Sequence, residues 1–122
     1  MMEAKKAVPM NSANKRQKMD KMTDLLREIV RRIVHATQPD RIILFGSSAR
    51  GDGDAYSDID VLVVKQCAQR REVAGKIYQA LIGVGRAVDV VVATPDDIER
   101  YRNSPSMVIA PAIGEGRVIY AA

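Results

Sequence analysis

Asp58-Ile59-Asp60-Val61-Leu62-Val63-Val64 is an apolar, β-branched run that opens on two acids one residue apart. Val and Ile favour extended structure. In a strand, alternate side chains face the same way. Asp58 and Asp60 therefore point off one face, and Ile59, Val61 and Val63 off the other. Two carboxylates one strand repeat apart repel each other unless a cation sits between them. An oxygen-only pair of this kind suits Mg²⁺, which takes one or two carboxylates plus substrate phosphates.

Upstream, a second apolar run, Ile42-Ile43-Leu44-Phe45, leads directly into Gly46-Ser47. A strand that enters Gly-Ser makes a turn whose backbone can approach a phosphate closely. Downstream, Ala87-Val88-Asp89-Val90-Val91-Val92-Ala93 places a third acid inside another buried-strand pattern. An acid there is costly unless it is paired or bound to metal. A single acid at a strand end usually belongs to a turn or an edge. Two on one face, a Gly-Ser turn before them and a third in a neighbouring strand describe a site for a metal-bound nucleoside triphosphate. The candidate metal ligands are Asp58, Asp60 and Asp89.

At these residues the chain resembles the nucleotidyltransferase superfamily, the fold shared by polymerase-β-like enzymes. It looks most like the minimal nucleotidyltransferase (MNT) group, the antitoxins of HEPN/MNT toxin–antitoxin pairs. The match is Phe45-Gly46-Ser47-Ser48-Ala49-Arg50-Gly51 followed by Ser57-Asp58-Ile59-Asp60-Val61-Leu62-Val63, with ten residues between Ser47 and Asp58. Asp89 falls on the family's third acid, and Gly116-Arg117-Val118-Ile119-Tyr120 looks like the group's last strand. The likeness covers roughly residues 23–121. The chain departs from many relatives at Ser48, where they carry Arg.

The resemblance implies an α/β fold with a mixed β-sheet of about four strands packed with helices. It implies nucleotidyl transfer with two Mg²⁺ ions, and ATP as the nucleotide. Asp58 and Asp60 would hold the metals and triphosphate oxygens. Asp89 would complete the metal site or take the acceptor's proton. Gly46 and Ser47 would hold the β/γ-phosphates, and Arg50 would neutralise charge there. The implied partner is a HEPN-domain toxin, a small helical ribonuclease that receives AMP on a tyrosine. Two other readings stand beside this one. The chain would act as a non-catalytic antitoxin by occluding its toxin, or as a small-molecule nucleotidyltransferase of the antibiotic-modifying type. With 122 residues, no substrate domain is expected, so the acceptor should come from a partner or a second subunit. The oligomeric state stays open.

Composition sets outer bounds. A length of 122 residues fits one domain. Hydrophobic residues make up 47%, but there is one Phe and no Trp, so the core must be aliphatic. The single cysteine, Cys67, excludes an internal disulfide and fits a reducing, cytoplasmic setting. No apolar stretch approaches the length of a membrane span, and the polar, basic N-terminus lacks the apolar region of a secretory signal. Charge is unevenly placed. Residues 1–21 hold six Lys/Arg and two acids, whereas residues 22–122 hold thirteen of each. The net +4 thus belongs to the leader, and the domain itself is not expected to bind nucleic acid.

Residues 1–21 read as a basic, flexible leader, and 22–122 as the domain. Met22, Leu25, Leu26, Ile29, Val30 and Ile33 recur at helical spacing, predicting an amphipathic helix from 22 to about 37. Arg27, Glu28, Arg31, Arg32 and His35 fall on its solvated side. Strands are expected over 41–45, 58–64, 86–93 and 117–120, and a short helix after Gly46. Asp52-Gly53-Asp54 reads as turn chemistry. A helix over 68–82 should bury Val73, Ile77, Ala80 and Leu81. Thr94-Pro95-Asp96-Asp97 is a helix start, with Thr as N-cap and Pro at the first position. Ser104-Pro105 starts another helix, which Pro111 should bend or shorten.

Overall fold

A computed structural model of the chain describes residues 10–50, 58–104 and 109–122, with side chains from residue 22 onward. The elements are α1 (Met10–Thr37), β1 (Arg41–Phe45), α2 (Ser47–Arg50), β2 (Ile59–Val64), α3 (Arg70–Ala80), β3 (Val88–Ala93), α4 (Pro95–Tyr101), α5 (Ile109–Glu115) and β4 (Arg117–Ala121). The strands form one mixed sheet in the order β3-β2-β1-β4. β1 runs antiparallel to both β2 and β4, and β2 runs parallel to β3 through α3. The expected α/β architecture is the observed one.

Alternation along the strands sorts the core into two clusters. Ile59, Val61 and Val63 pack with Leu26, Ile29 and Ile33 of α1 and Ile77 of α3 on one face. Leu62 and Val64 pack with Ile43, Ala93, Ile98 of α4, and Ile109 and Ala112 of α5 on the other. Ile29, Ile33, Ile42, Leu44, Val61, Leu62 and Val63 are almost wholly buried. An aliphatic side chain buried so fully contributes roughly 1.5–3 kcal/mol, so these branched residues supply most of the driving force.

Three elements differ from the expectation. α1 begins at Met10, twelve positions before the apolar period starts. Residues 10–21 lack that period, but after Pro9 they are mostly good helix formers, and an established helix propagates readily through such residues. Within the expected leader of residues 1–21 the backbone is thus helical from Met10; residues 1–9 lie outside the described part. At the other end of α1, Gln38 takes a left-handed conformation (φ 51°) and its N–H closes on the Val34 carbonyl. α5 runs through Pro111 and Gly114 instead of stopping. Pro111 is the third residue of the helix as described, where its missing N–H costs no intrahelical bond. The expected start at Ser104-Pro105 falls partly on residues 105–108, outside the described part. Finally, Arg32 is only partly exposed. Its guanidinium donates to the carbonyls of Ala80 (3.3 Å) and Ile82 (2.8 Å), tying α1 to the C-terminal end of α3. His35 is exposed, as expected.

Candidate functional site

Strand pairing gathers the acids. In the parallel β2–β3 ladder, Asp60 lies opposite Asp89. In the antiparallel β1–β2 ladder, Asp60 lies opposite Phe45, the last residue before Gly46. The β1 exit turn, the β2 entrance and the β3 entrance therefore meet at one end of the sheet. Asp60 alternates with Ile59 and Val61, so it belongs to the sheet face of Leu62 and Val64 rather than that of α1 and α3. Asp58, just before β2, is exposed; Asp60 is half-buried; Asp89 is exposed on edge strand β3.

Electrostatics follow from this crowding. The Asp60 carboxyl is held above the ordinary carboxylate range, first by burial, then by the negative charges of Asp89 and Asp58, and by hydrogen bonding with Asp89. Among the described residues, no Lys or Arg forms an ion pair with Asp58, Asp60 or Asp89.

Gly46 explains its own identity twice. Its φ of +74° is the left-handed region that favours glycine. A Cβ built there would also collide with the Asp60 carboxylate. The turn and the acid are thus in direct contact. Ser47 opens α2, a single turn closed by Arg50 N–H to the Gly46 carbonyl at 3.3 Å. First-turn N–H groups have no partner within a helix, and the neighbouring Ser48 hydroxyl is buried without a hydrogen-bond partner. Hydrogen-bonding capacity is therefore left over beside the acids. Arg50 reaches Glu115 of α5 at 3.5 Å, with both side chains about half exposed. Such an exposed pair contributes at most about 1 kcal/mol.

The donor set fits a hard divalent cation: oxygen ligands, adjacent, and without an ion pair to a protein cation among the described residues. Among the described residues, no trio of His, Cys, Asp or Glu is close enough to hold an ion with protein donors alone. Asp60 and Asp89 are paired across the ladder, while Asp58 is exposed just before β2 and acts on Asp60 through its charge. Phosphate oxygens and water complete the coordination where Mg²⁺ is bound through few carboxylates. Asp52 and Asp54 lie in residues 51–57, outside the described part.

Sequence reading did not anticipate Glu115 as the partner of Arg50, nor the buried Ser48 hydroxyl. It also missed a clamp at the opposite end of the sheet. There, Arg70 grips Asp97 with two bonds of 2.6 and 2.7 Å. Asp97 also completes a reciprocal cap with Thr94. Only the Thr94-x-x-Asp97 spacing signalled this in advance.

Comparison with known proteins bears on this geometry. A family model described as a nucleotidyltransferase domain matches residues 24–113. No curated protein matches the chain. Among solved structures, a candidate nucleotidyltransferase from Sulfolobus solfataricus is 21% identical, with a TM-score of 0.60, covering 86% of this chain and 85% of that one. A toxin–antitoxin structure with AMP-PNP is 23% identical, with a TM-score of 0.54, covering 79% and 73%. Both share the fold.

Proposed function

Because the chain belongs to the nucleotidyltransferase domain family, we propose that it is an Mg²⁺-dependent antitoxin that transfers AMP from ATP to a tyrosine of a HEPN-domain toxin. One observation carries the transferase part. Asp60 and Asp89 are opposed in neighbouring strands, and the Gly46 turn lies against the Asp60 carboxylate. This places candidate metal ligands and a candidate phosphate turn side by side. The toxin part rests on the sequence likeness to the MNT group, and the solved toxin–antitoxin structure with AMP-PNP shares the fold.

In this reading Asp58, Asp60 and Asp89 would hold Mg²⁺ together with phosphate oxygens and water, since the three carboxylates alone do not close around an ion. When bound, the metal neutralises charge on the phosphates and acidifies the attacking hydroxyl. Gly46 and Ser47 present backbone N–H groups to the β- and γ-phosphates. Arg50 would neutralise charge on the phosphates. The acceptor tyrosine oxygen attacks the α-phosphorus, the bond from that phosphorus to the β-bridging oxygen breaks, and pyrophosphate leaves. Asp89, exposed on the edge strand, accepts the tyrosine proton in the direct form of the mechanism.

The test pairs the chain with the product of a neighbouring reading frame. The wild type with Mg²⁺-ATP should silence an excess of toxin and leave it heavier by whole AMP units on intact-mass spectrometry. Asp89→Asn should still bind the toxin but slow transfer roughly a thousandfold or more. Equal protection by both proteins, with the toxin unmodified, would mean that occlusion suffices and that the enzymatic reading is wrong.

A further inference from the structure

On the sheet face opposite the carboxylates, α1 and β4 enclose an open groove of about 350 Å³. Its floor is apolar, formed by Leu26, Val30 and Ile119; its rim carries Arg27, Arg31 and Arg117. Helical spacing puts Leu26 with Val30, and Arg27 with Arg31, in two rows along α1. Strand alternation puts Arg117 and Ile119 on the same face of β4. β4 is an edge strand, and its Val118 is 52% exposed.

The charge around this groove is net positive. Glu28 is shared between Arg31 (2.6 Å) and Arg32 (2.7 Å), which together hold its carboxyl down at about 2. One carboxylate thus serves two arginines. Arg27 and Arg117 have no ion pair among the described residues. Over the described side chains of α1 and β4, four arginines (Arg27, Arg31, Arg32, Arg117) stand against two acids, Asp24 and Glu28. Residues 22–122 are neutral as a whole, so this surplus of two is balanced elsewhere in the domain.

We propose that the α1–β4 groove docks an acidic, amphipathic segment of a separate protein, with its carboxylates on Arg27, Arg31 and Arg117 and its apolar side chains on Leu26, Val30 and Ile119. Guanidinium forks match carboxylates in two-pronged geometry, and the apolar floor rewards side chains that a bare anion lacks. Nucleic acid is the weaker fit. Single-stranded bases are held by stacking on aromatic rings, and among the described residues no aromatic side chain lines the groove. The site lies across the sheet from Asp60 and Asp89, so an occupant leaves the carboxylate face open. The inference shares with the proposed function only the premise of a protein partner.

Fluorescence anisotropy on the full chain tests it. The probes are a labelled amphipathic Leu/Glu peptide of about four helical turns, its Leu/Lys counterpart, and a single-stranded RNA of similar length. The Leu/Glu peptide should bind, the Leu/Lys peptide should not, and added salt should weaken the complex. Replacing all three arginines by glutamine should weaken peptide binding about tenfold or more. These are surface changes, so the circular dichroism spectrum should not move. Mg²⁺-ATP binding should also be unchanged, which separates failure of this proposal from failure of the catalytic reading. No peptide binding at about millimolar concentration would overturn the proposal. So would wild-type affinity in the glutamine variant, or RNA binding more tightly than the peptide through the same arginines.

Discussion

Gly46 is where backbone geometry and site chemistry meet. Its left-handed φ and its contact with the Asp60 carboxylate leave no room for a side chain. Gly46→Ala should lower stability by about 1–3 kcal/mol, the sum of a strained backbone and a displaced carboxylate. Urea denaturation measures this, and the same variant should bind Mg²⁺-ATP more weakly. A variant as stable as wild type would mean that the turn relaxes freely and does not position Asp60. The residues themselves were legible in the sequence, because Gly-Ser and Asp-x-Asp stand out by spacing and residue type. Their contact was not legible. It depends on the pairing of Phe45 with Asp60 and of Asp60 with Asp89, and register is a tertiary outcome that a one-residue slip would erase.

At the scale of elements, α4 is set by a charged clamp. Thr94 and Asp97 cap the helix reciprocally, and Arg70 at the start of α3 binds the same carboxylate. The Arg70 guanidinium is the main reason that the buried Asp97 carboxyl is held down at about 2, against 3.8 for the free group. The sign follows from linkage. A depressed folded-state value means that the unfolded chain binds the proton more tightly. The stabilisation is therefore complete above about pH 4 and is lost as pH falls from there towards 2. Thermal unfolding across that range should show wild type losing stability more steeply than Arg70→Met. Parallel curves would show that the clamp contributes nothing. The cap was readable from Thr94-Pro95-Asp96-Asp97, but Arg70 lies 27 residues from Asp97 and nothing local announces it. For the same reason Arg32 looked solvated: its acceptors, the Ala80 and Ile82 carbonyls, are 48 and 50 residues away. The length of α1 escaped because an apolar period marks only the packed part of a helix, and residues 10–21 lie before that part begins.

The whole molecule is a sheet with helices on both faces. α1 and α3 cover one face; α4 and α5 pack over the other around Leu62, Val64 and Ala93. The acids lie on that second face at the strand entrances, where Asp58 and Asp89 remain exposed. The layered architecture was legible because alternating and helical apolar patterns are strong signals in a chain with so few aromatics. The net positive charge of α1 and β4 was hidden by the neutral sum over residues 22–122. The central claim is that these three carboxylates, which repel one another in the bare protein, form the seat of a metal-bound triphosphate. Calorimetric titration of Mg²⁺-ATP into the full-length chain tests it most directly. Wild type should bind, with binding abolished by chelation of the metal and by Asp60→Asn. An absence of heat at about millimolar ligand, or equal binding by the Asp60→Asn variant, would contradict it.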